Sequence, residues 1–319
     1  MSALAHETVA IGASSLRVPS LGVGAWSWGD VRYWGYGERH SSRDVLDAFM
    51  ASVEAGATLF DTAEVYGHGA SEQVLGWLAR RSGAPVVLAT KYAPLRGRGG
   101  AKALLPALKN SLRRMGIGRV DLYQIHWADF EEASIDDLMG ALADAAAEGL
   151  VTAVGVSNFS ASEMRRAHAA LDRRGVALAS NQVRYNALHR APETDGVLDA
   201  CRELGASLLA YSPLEQGVLL GTYGAGRVPT GPRGDAPWFS AEHLAAAAPV
   251  AALLREVGEA EGDRPPEQVA LNWLRAKPGV IPLAGARTGE QAARNAGALG
   301  WSLSEAAEAR IDEATARRR

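Results

Sequence analysis

The chain of 319 residues has a single cysteine. Cys201 therefore has no partner for an internal disulfide, and no Cys/His spacing of a zinc site surrounds it. It lies in DACRELG, at a helical position, where it reads as a packing residue rather than a nucleophile. Such sparing use of cysteine suits a reducing cytoplasm. An excess of positive charge is also missing. Lys and Arg number 33 against 36 Asp and Glu, a net charge of −3, so no basic surface points to nucleic acid or acidic membranes. No apolar run approaches the ~20 residues of a membrane-spanning helix. The opening MSALAHETVAIG has no charged stretch followed by an apolar core, so no signal peptide is expected. A complete G-x-G-x-x-G turn is absent as well. Gly22 and Gly24 start one, but Ser27 stands where the third glycine belongs, which weakens an open-sheet dinucleotide fold. No metal site is expected.

What is present is alternation. Apolar residues make up 47% and charged residues 22%, as in soluble globular proteins. Short apolar runs occupy 20–26, 57–62, 85–91, 120–126, 151–157, 178–182, 206–212 and 279–285. Stretches with helical spacing separate them, such as SRDVLDAFMASVEAG, ALLPALKNSLRRMG and SASEMRRAHAALDRRG. Most end in Gly and several begin at Ser or Asp, as helix ends do. The runs are apolar throughout rather than alternating, which fits parallel strands buried on both faces. Eight such units predict an α/β fold, a closed (β/α)8 TIM barrel. TVAIG-ASS-LRVP reads as an N-terminal β-hairpin that could plug the bottom of the barrel. Residues 215–239 form a long Gly- and Pro-rich segment of little periodicity, and a loop of that length is usually functional or mobile. Two extra helices, in HLAAAAPVAALLREVGEAEG and PPEQVALNWLRA, precede the last strand, and further helix follows it. No boundary is evident, so residues 1–319 are read as one domain.

Chemistry in such a barrel gathers at the C-terminal strand ends. Strand two ends in Asp61, with Tyr66 just beyond in LFDTAEVYGHGASE. Strand three ends in Lys91 and strand four in His126. The fifth ends in Ser157 and Asn158, the sixth in Asn181 and Gln182, the seventh in Tyr211 and Ser212. Singly these read as a cap, a surface charge or a core histidine. Together they are hard to dismiss, because burying unpaired ionisable groups is costly. A phenol of pKa near ~10 is a poor acid at neutral pH. An ammonium beside it lowers that pKa, and a carboxylate holds the ammonium. An imidazole can orient a carbonyl by hydrogen bonding. The set protonates an oxygen as it gains charge but has no nucleophile or metal, so a hydride-donating cofactor is implied.

These residues carry a resemblance to the aldo-keto reductases, running from about Leu16 to the C-terminal helix. DTAEVYGHGASE, SLRRMGIGRVDLYQIHW, GVSNF, AYSPLEQG and IPLAGARTGEQAARN are similar to the family's motifs. The resemblance places its catalytic tetrad on Asp61, Tyr66, Lys91 and His126. It implies NADP(H) lying extended across the barrel top. Ser157, Asn158 and Gln182 match residues on the nicotinamide carboxamide, and Tyr211 the ring stacked on the nicotinamide. Ser212, Leu214 and Gly217 match the loop along the pyrophosphate. Gly285, Arg287, Gln291 and Asn295 match the adenine end, with Arg287 suited to the 2′-phosphate. Trp26 matches the family's G-x-W and Trp127 follows the histidine. With Trp28, Tyr33, Trp34 and Tyr36 of WSWGDVRYWGYG they predict a pocket for a flat or apolar carbonyl compound, some rings only packing the loop. That loop also resembles pyridoxal reductase-like members.

The expected activity is NADPH-dependent reduction of an aldehyde or ketone by a cytoplasmic oxidoreductase. Tyr66 gives the proton, Lys91 tunes it, Asp61 holds Lys91 and His126 orients the carbonyl. Gly67 and Gly69 aim Tyr66, and Ser71 begins the next helix. Two alternatives belong to other classes. One is a cofactor-binding regulatory subunit, the other a biosynthetic tailoring enzyme with non-redox turnover. The expected partner is a small-molecule carbonyl substrate, not nucleic acid or membrane, and no coiled coil or interface stripe sets an oligomeric state.

Overall fold

A computed structural model describes residues 8–128, 131–224 and 226–316. The first seven residues of the stretch read for a signal peptide lie outside it. Each predicted apolar run forms a strand. After the hairpin β1 (Thr8–Ala10) and β2 (Arg17–Pro19) come β3 (Gly22–Gly24), β4 (Leu59–Asp61), β5 (Val87–Tyr92) and β6 (Val120–Ile125). They continue as β7 (Val151–Ser157), β8 (Leu178–Arg184), β9 (Ser207–Tyr211) and β10 (Val280–Gly285). Strands β3 to β10 pair in parallel in chain order, and β10 closes the barrel on β3.

Burial on both strand faces explains the unbroken apolar runs. One face lines the barrel interior. There Leu59, Ala89, Leu122, Ala153, Ala179, Leu209 and Ile281 meet Ile11, Leu16 and Val18 of the hairpin region. The hairpin therefore plugs the barrel as its sequence predicts. The other face, with Phe60, Tyr123, Val154 and Val156, packs against the surrounding helices. This leaves the opposite, C-terminal end for polar residues.

The helices are α1 (Ser42–Glu54), α2 (Ala70–Ser82), α3 (Leu104–Met115), α4 (Ile135–Ala147), α5 (Ala161–Asp172) and α6 (Val197–Glu203). Beyond them lie α7 (Ala241–Ala260), α8 (Pro266–Arg275), α9 (Gly289–Ala296) and α10 (Glu305–Thr315). Ser41, Ser134 and Ser160 each form a capping box with the acid three residues on. The stretch around DACRELG forms only the short helix α6, Val197–Glu203. Gly196, left-handed at φ 84°, turns the chain into α6, and Asp195 just before it accepts from the Val197 amide at 3.0 Å.

The segment 215–239 is not featureless. It contains short 3-10 turns at Glu215–Leu220, Gly231–Arg233 and Pro237–Phe239. Val218 and Phe239 bury against Leu244 and Ala247 of α7, giving the segment a small core of its own. Among the described residues no helix is long and apolar enough to cross a membrane. Among the same residues no cluster of His, Cys, Asp and Glu could hold a metal ion.

Candidate active site

The barrel ends the strands so that Asp61, Lys91 and His126 converge, and the turn after β4 returns Tyr66 to them. That turn is tight. Gly67 has φ of 55°, and a Cβ there would sit 2.7 Å from the Gly29 carbonyl oxygen. The helix after it begins at Ala70, without a side-chain cap. Ser71, expected to start it, instead donates its hydroxyl to the Ala25 carbonyl at 2.7 Å and pairs with Thr62. It pins the ends of β3 and β4 together beside the site.

Lys91 is fully buried and donates to Asp61 Oδ1, and to the Thr62 carbonyl at 2.8 Å. Its ammonium lies 5.1 Å from the centre of the Tyr66 ring. The His126 ring meets Tyr66 edge-on, with centroids 5.5 Å apart. Burial raises the Tyr66 pKa above its ordinary value, and Lys91 opposes this without cancelling it. The lysine therefore does not produce the net lowering that the sequence suggests. The phenol keeps its proton at neutral pH. Burial also works against the Lys91 charge, but Asp61 and Tyr66 outweigh it and raise its pKa. Burial and the Lys91 charge pull His126 down to about 3, so its imidazole is neutral. The cluster thus holds a neutral phenol, an ammonium paired to a carboxylate, and a neutral imidazole.

The residues matched to the nicotinamide end form one connected group. Ser157 donates to the Gln182 carbonyl at 2.7 Å. Asn158, at φ 58°, donates to the His126 carbonyl at 3.0 Å and accepts from the Tyr211 hydroxyl at 3.1 Å. The amide of Gln182 donates to Asp61 Oδ2 at 3.0 Å, tying this group to the tetrad. Past β9, left-handed conformations recur at Ser212, Glu215, Gln216 and Gly217. Such residues are costly unless the surroundings hold them. Buried Glu215 does so, accepting from Arg184 and from Asn186 at 2.7 Å. Leu214 is buried beneath the turn. At the far end, the Arg287 amide donates to the Gln291 side chain at 2.9 Å and Asn295 donates to the Gly285 carbonyl at 3.2 Å.

A model described as the aldo/keto reductase family matches residues 20–316. The chain belongs to this family. It is 35% identical over 300 residues to a chloroplastic pyridoxal reductase of Arabidopsis thaliana, covering 90% of this chain and 80% of the relative. A glycerol dehydrogenase structure from Gluconobacter oxydans superposes with a TM-score of 0.85 at 26% identity, covering 99% of this chain and 97% of that one. An aldo-keto reductase from Klebsiella pneumoniae, solved with NADPH, gives a TM-score of 0.73 at 28% identity and covers 98% and 96%.

In this aldo/keto reductase the aromatic loop after β3 divides into two roles. Tyr33 stacks on Trp26, with centroids 4.9 Å apart, and Trp26 stacks on Tyr66 at 5.7 Å. Trp34 closes the stack edge-on, 5.5 Å from Trp26. Trp127 lies against His126 at 4.6 Å. Trp28 is different and leaves the expected substrate pocket. It is 0% exposed, its Nε1 donates to the Ala286 carbonyl at 2.8 Å, and its ring packs on Phe49 and Phe60. The residue just before it, Ser27, is buried as well, and its carbonyl accepts from the His40 ring at 2.8 Å. Tyr36 also packs against the core.

Two site residues are not among those singled out from the sequence. Gln124, within β6, donates its amide to Asp61 Oδ2 at 3.2 Å. Arg233, in the long segment, is 4% exposed. Its guanidinium lies 4.6 Å from the Trp34 ring and donates to the Gln216 carbonyl at 2.8 Å. Arg287 lies 5.9 Å from the same ring. Burial and the Arg233 charge lower the Arg287 pKa. Among the described residues neither arginine has a carboxylate within ion-pair distance. An arginine held between Pro232 and Gly234 in GPRGDAPWF is the available sequence signal for Arg233.

Proposed function

We propose that the protein reduces an aldehyde or ketone to an alcohol with NADPH. The observation that carries this reading is the Tyr66 phenol set between the buried Lys91 ammonium, 5.1 Å from its ring centre, and the His126 ring at 5.5 Å. Bound NADPH supplies the hydride to the carbonyl carbon. Tyr66 transfers its proton to the carbonyl oxygen, and the neutral His126 donates a hydrogen bond that orients that oxygen. Lys91, held charged by Asp61, stabilises the phenolate that remains. Ser157, Asn158, Gln182 and Tyr211 hold the nicotinamide end, while Ser212, Leu214 and Gly217 border the pyrophosphate. Gly285, Gln291 and Asn295 border the adenine end. Two clustered arginines without carboxylate partners suit phosphate groups, so Arg287 and Arg233 are assigned to the cofactor's phosphates.

The substrate reading rests on Trp26, Trp34 and Trp127, whose rings border Tyr66 and His126. They favour a flat or apolar carbonyl compound. A ring-borne aldehyde of the pyridoxal type fits that description. The compartment that suits one buried cysteine is the cytoplasm. The test is NADPH absorbance with a panel of aromatic and small aliphatic aldehydes, pyridoxal among them. Consumption with turnover, fastest for the aromatic compounds, is expected. Tight NADPH binding without turnover on any compound would instead favour a regulatory cofactor-binding protein.

A further inference from the structure

Asp61 uses its two oxygens differently. Oδ1 takes the Lys91 ammonium. Oδ2 takes two amide donors, Gln182 at 3.0 Å and Gln124 at 3.2 Å. The Gln124 side chain is fully buried, in a layer where a leucine would bring no polar atoms to satisfy. Its position is set by three neighbouring strands. Lys91, Gln124, Gly155 and Ser180 are successive register partners across β5, β6, β7 and β8. Ser180 donates its hydroxyl to Gln124 Oε1 at 3.5 Å, which turns the amide nitrogen towards Asp61. Gly155 makes the space: a Cβ there would lie 2.3 Å from Ser180 Oγ and 3.2 Å from Gln124 Cγ. A glycine, a serine and a glutamine on adjacent strands thus build a seat for one carboxylate oxygen.

We propose that Gln124, fixed by Ser180 over Gly155, is a positioning residue that holds the Asp61 carboxylate aimed at Lys91 during proton transfer from Tyr66. The physical basis is direct. Hydrogen bonds to a carboxylate favour its charged form, and a buried charge has few other partners. Without the amide, the buried Asp61–Lys91 pair is less stable as ions, and the phenol loses the full charge of its cation. Gln124 touches neither phenol nor lysine by hydrogen bond, so it acts through Asp61. The inference rests on the proposed reductase reading.

The test uses the full chain with an aldehyde that supports turnover, comparing Gln124→Met, Gln124→Glu and Tyr66→Phe. Gln124→Met keeps the length of the side chain and removes the donor. It should lower kcat about tenfold, the effect of one unit in an effective pKa, with NADPH affinity within about twofold of wild type. Gln124→Glu should show a distinct pH profile. A protonated carboxyl donates to Asp61 as the amide does, whereas an ionised one repels it, and two carboxylates in one site raise a pKa. Its kcat should therefore recover towards wild type as pH falls and drop as pH rises, over a range where wild type is flat. A pH-independent loss in Gln124→Glu, or wild-type kcat in Gln124→Met, overturns the proposal. If neither variant folds, Ser180→Ala decides, because it frees the amide without disturbing volume. A loss of kcat in the same direction supports the proposal and an unchanged kcat overturns it. Full turnover by Tyr66→Phe would instead strike the underlying reductase reading, whatever the Gln124 variants do.

Discussion

The single residues of this site differ in how far their type announces their role. Asp61, Tyr66, Lys91 and His126 are legible because ionisable groups ending apolar strands need a reason to be there. Gln124 is not, since an amide within VDLYQIH looks like any polar interruption. Its partners are revealed only when the closed barrel turns its side chain towards Asp61 of β4 and Ser180 of β8, each two strands away. Trp28 misleads for the opposite reason, because a ring in an aromatic loop looks the same whether it faces a pocket or the core. Environment also sets the protonation states. His126 sits at about 3 instead of its ordinary 6.5. Reduction should therefore show no inflection near pH 6.5, and should decline only as pH rises past the raised Tyr66 value. The sign for stability follows from linkage. As pH falls below 6.5 the unfolded chain protonates His126 and the folded chain does not, until about pH 3. That destabilises the fold by up to about 2 kcal/mol at pH 5. Urea unfolding at pH 7 and pH 5 should show a smaller loss for His126→Asn than for wild type, and an equal loss would contradict the assignment.

Among the elements, strands and helices follow local pattern and loops do not. The eight barrel strands fall within the predicted runs or extend them by a few residues, since apolar runs and glycine stops are local signals. The order in residues 215–239 comes from distant partners. Tyr33 donates to Gln216 at 3.2 Å and Arg39 to the Thr230 carbonyl at 2.8 Å, contacts that span more than half the chain. Arg233 joins the same seam through Gln216 and Trp34. This joins the aromatic loop near Tyr66 to the segment beside the expected phosphate sites. Arg233→Ala should weaken NADPH binding by about 1.5–3 kcal/mol, the worth of a hydrogen bond to a charged group. Fluorescence titration should show tenfold weaker binding or more. Affinity unchanged from wild type would remove Arg233 from the cofactor site.

At the scale of the whole molecule, the barrel turns a linear alternation into a convergent site. Closure of β10 on β3 brings Arg287 and Trp34 together although they are far apart in sequence. The hairpin region fills the lower end with Ile11, Leu16 and Val18, and polar chemistry is left to the upper end. This division was readable in advance because parallel barrels place chemistry at one end. The account depends most on Tyr66 as the proton donor, and one variant isolates it. Tyr66→Phe removes one hydroxyl and keeps the ring that stacks on Trp26. Single-turnover oxidation of bound NADPH by an active aldehyde, measured with NADPH affinity on the same samples, is the direct test. The account predicts a rate lower by about 10²–10⁴, the usual contribution of general acid catalysis, with affinity within about twofold. Turnover at the wild-type rate with the hydroxyl gone would contradict it.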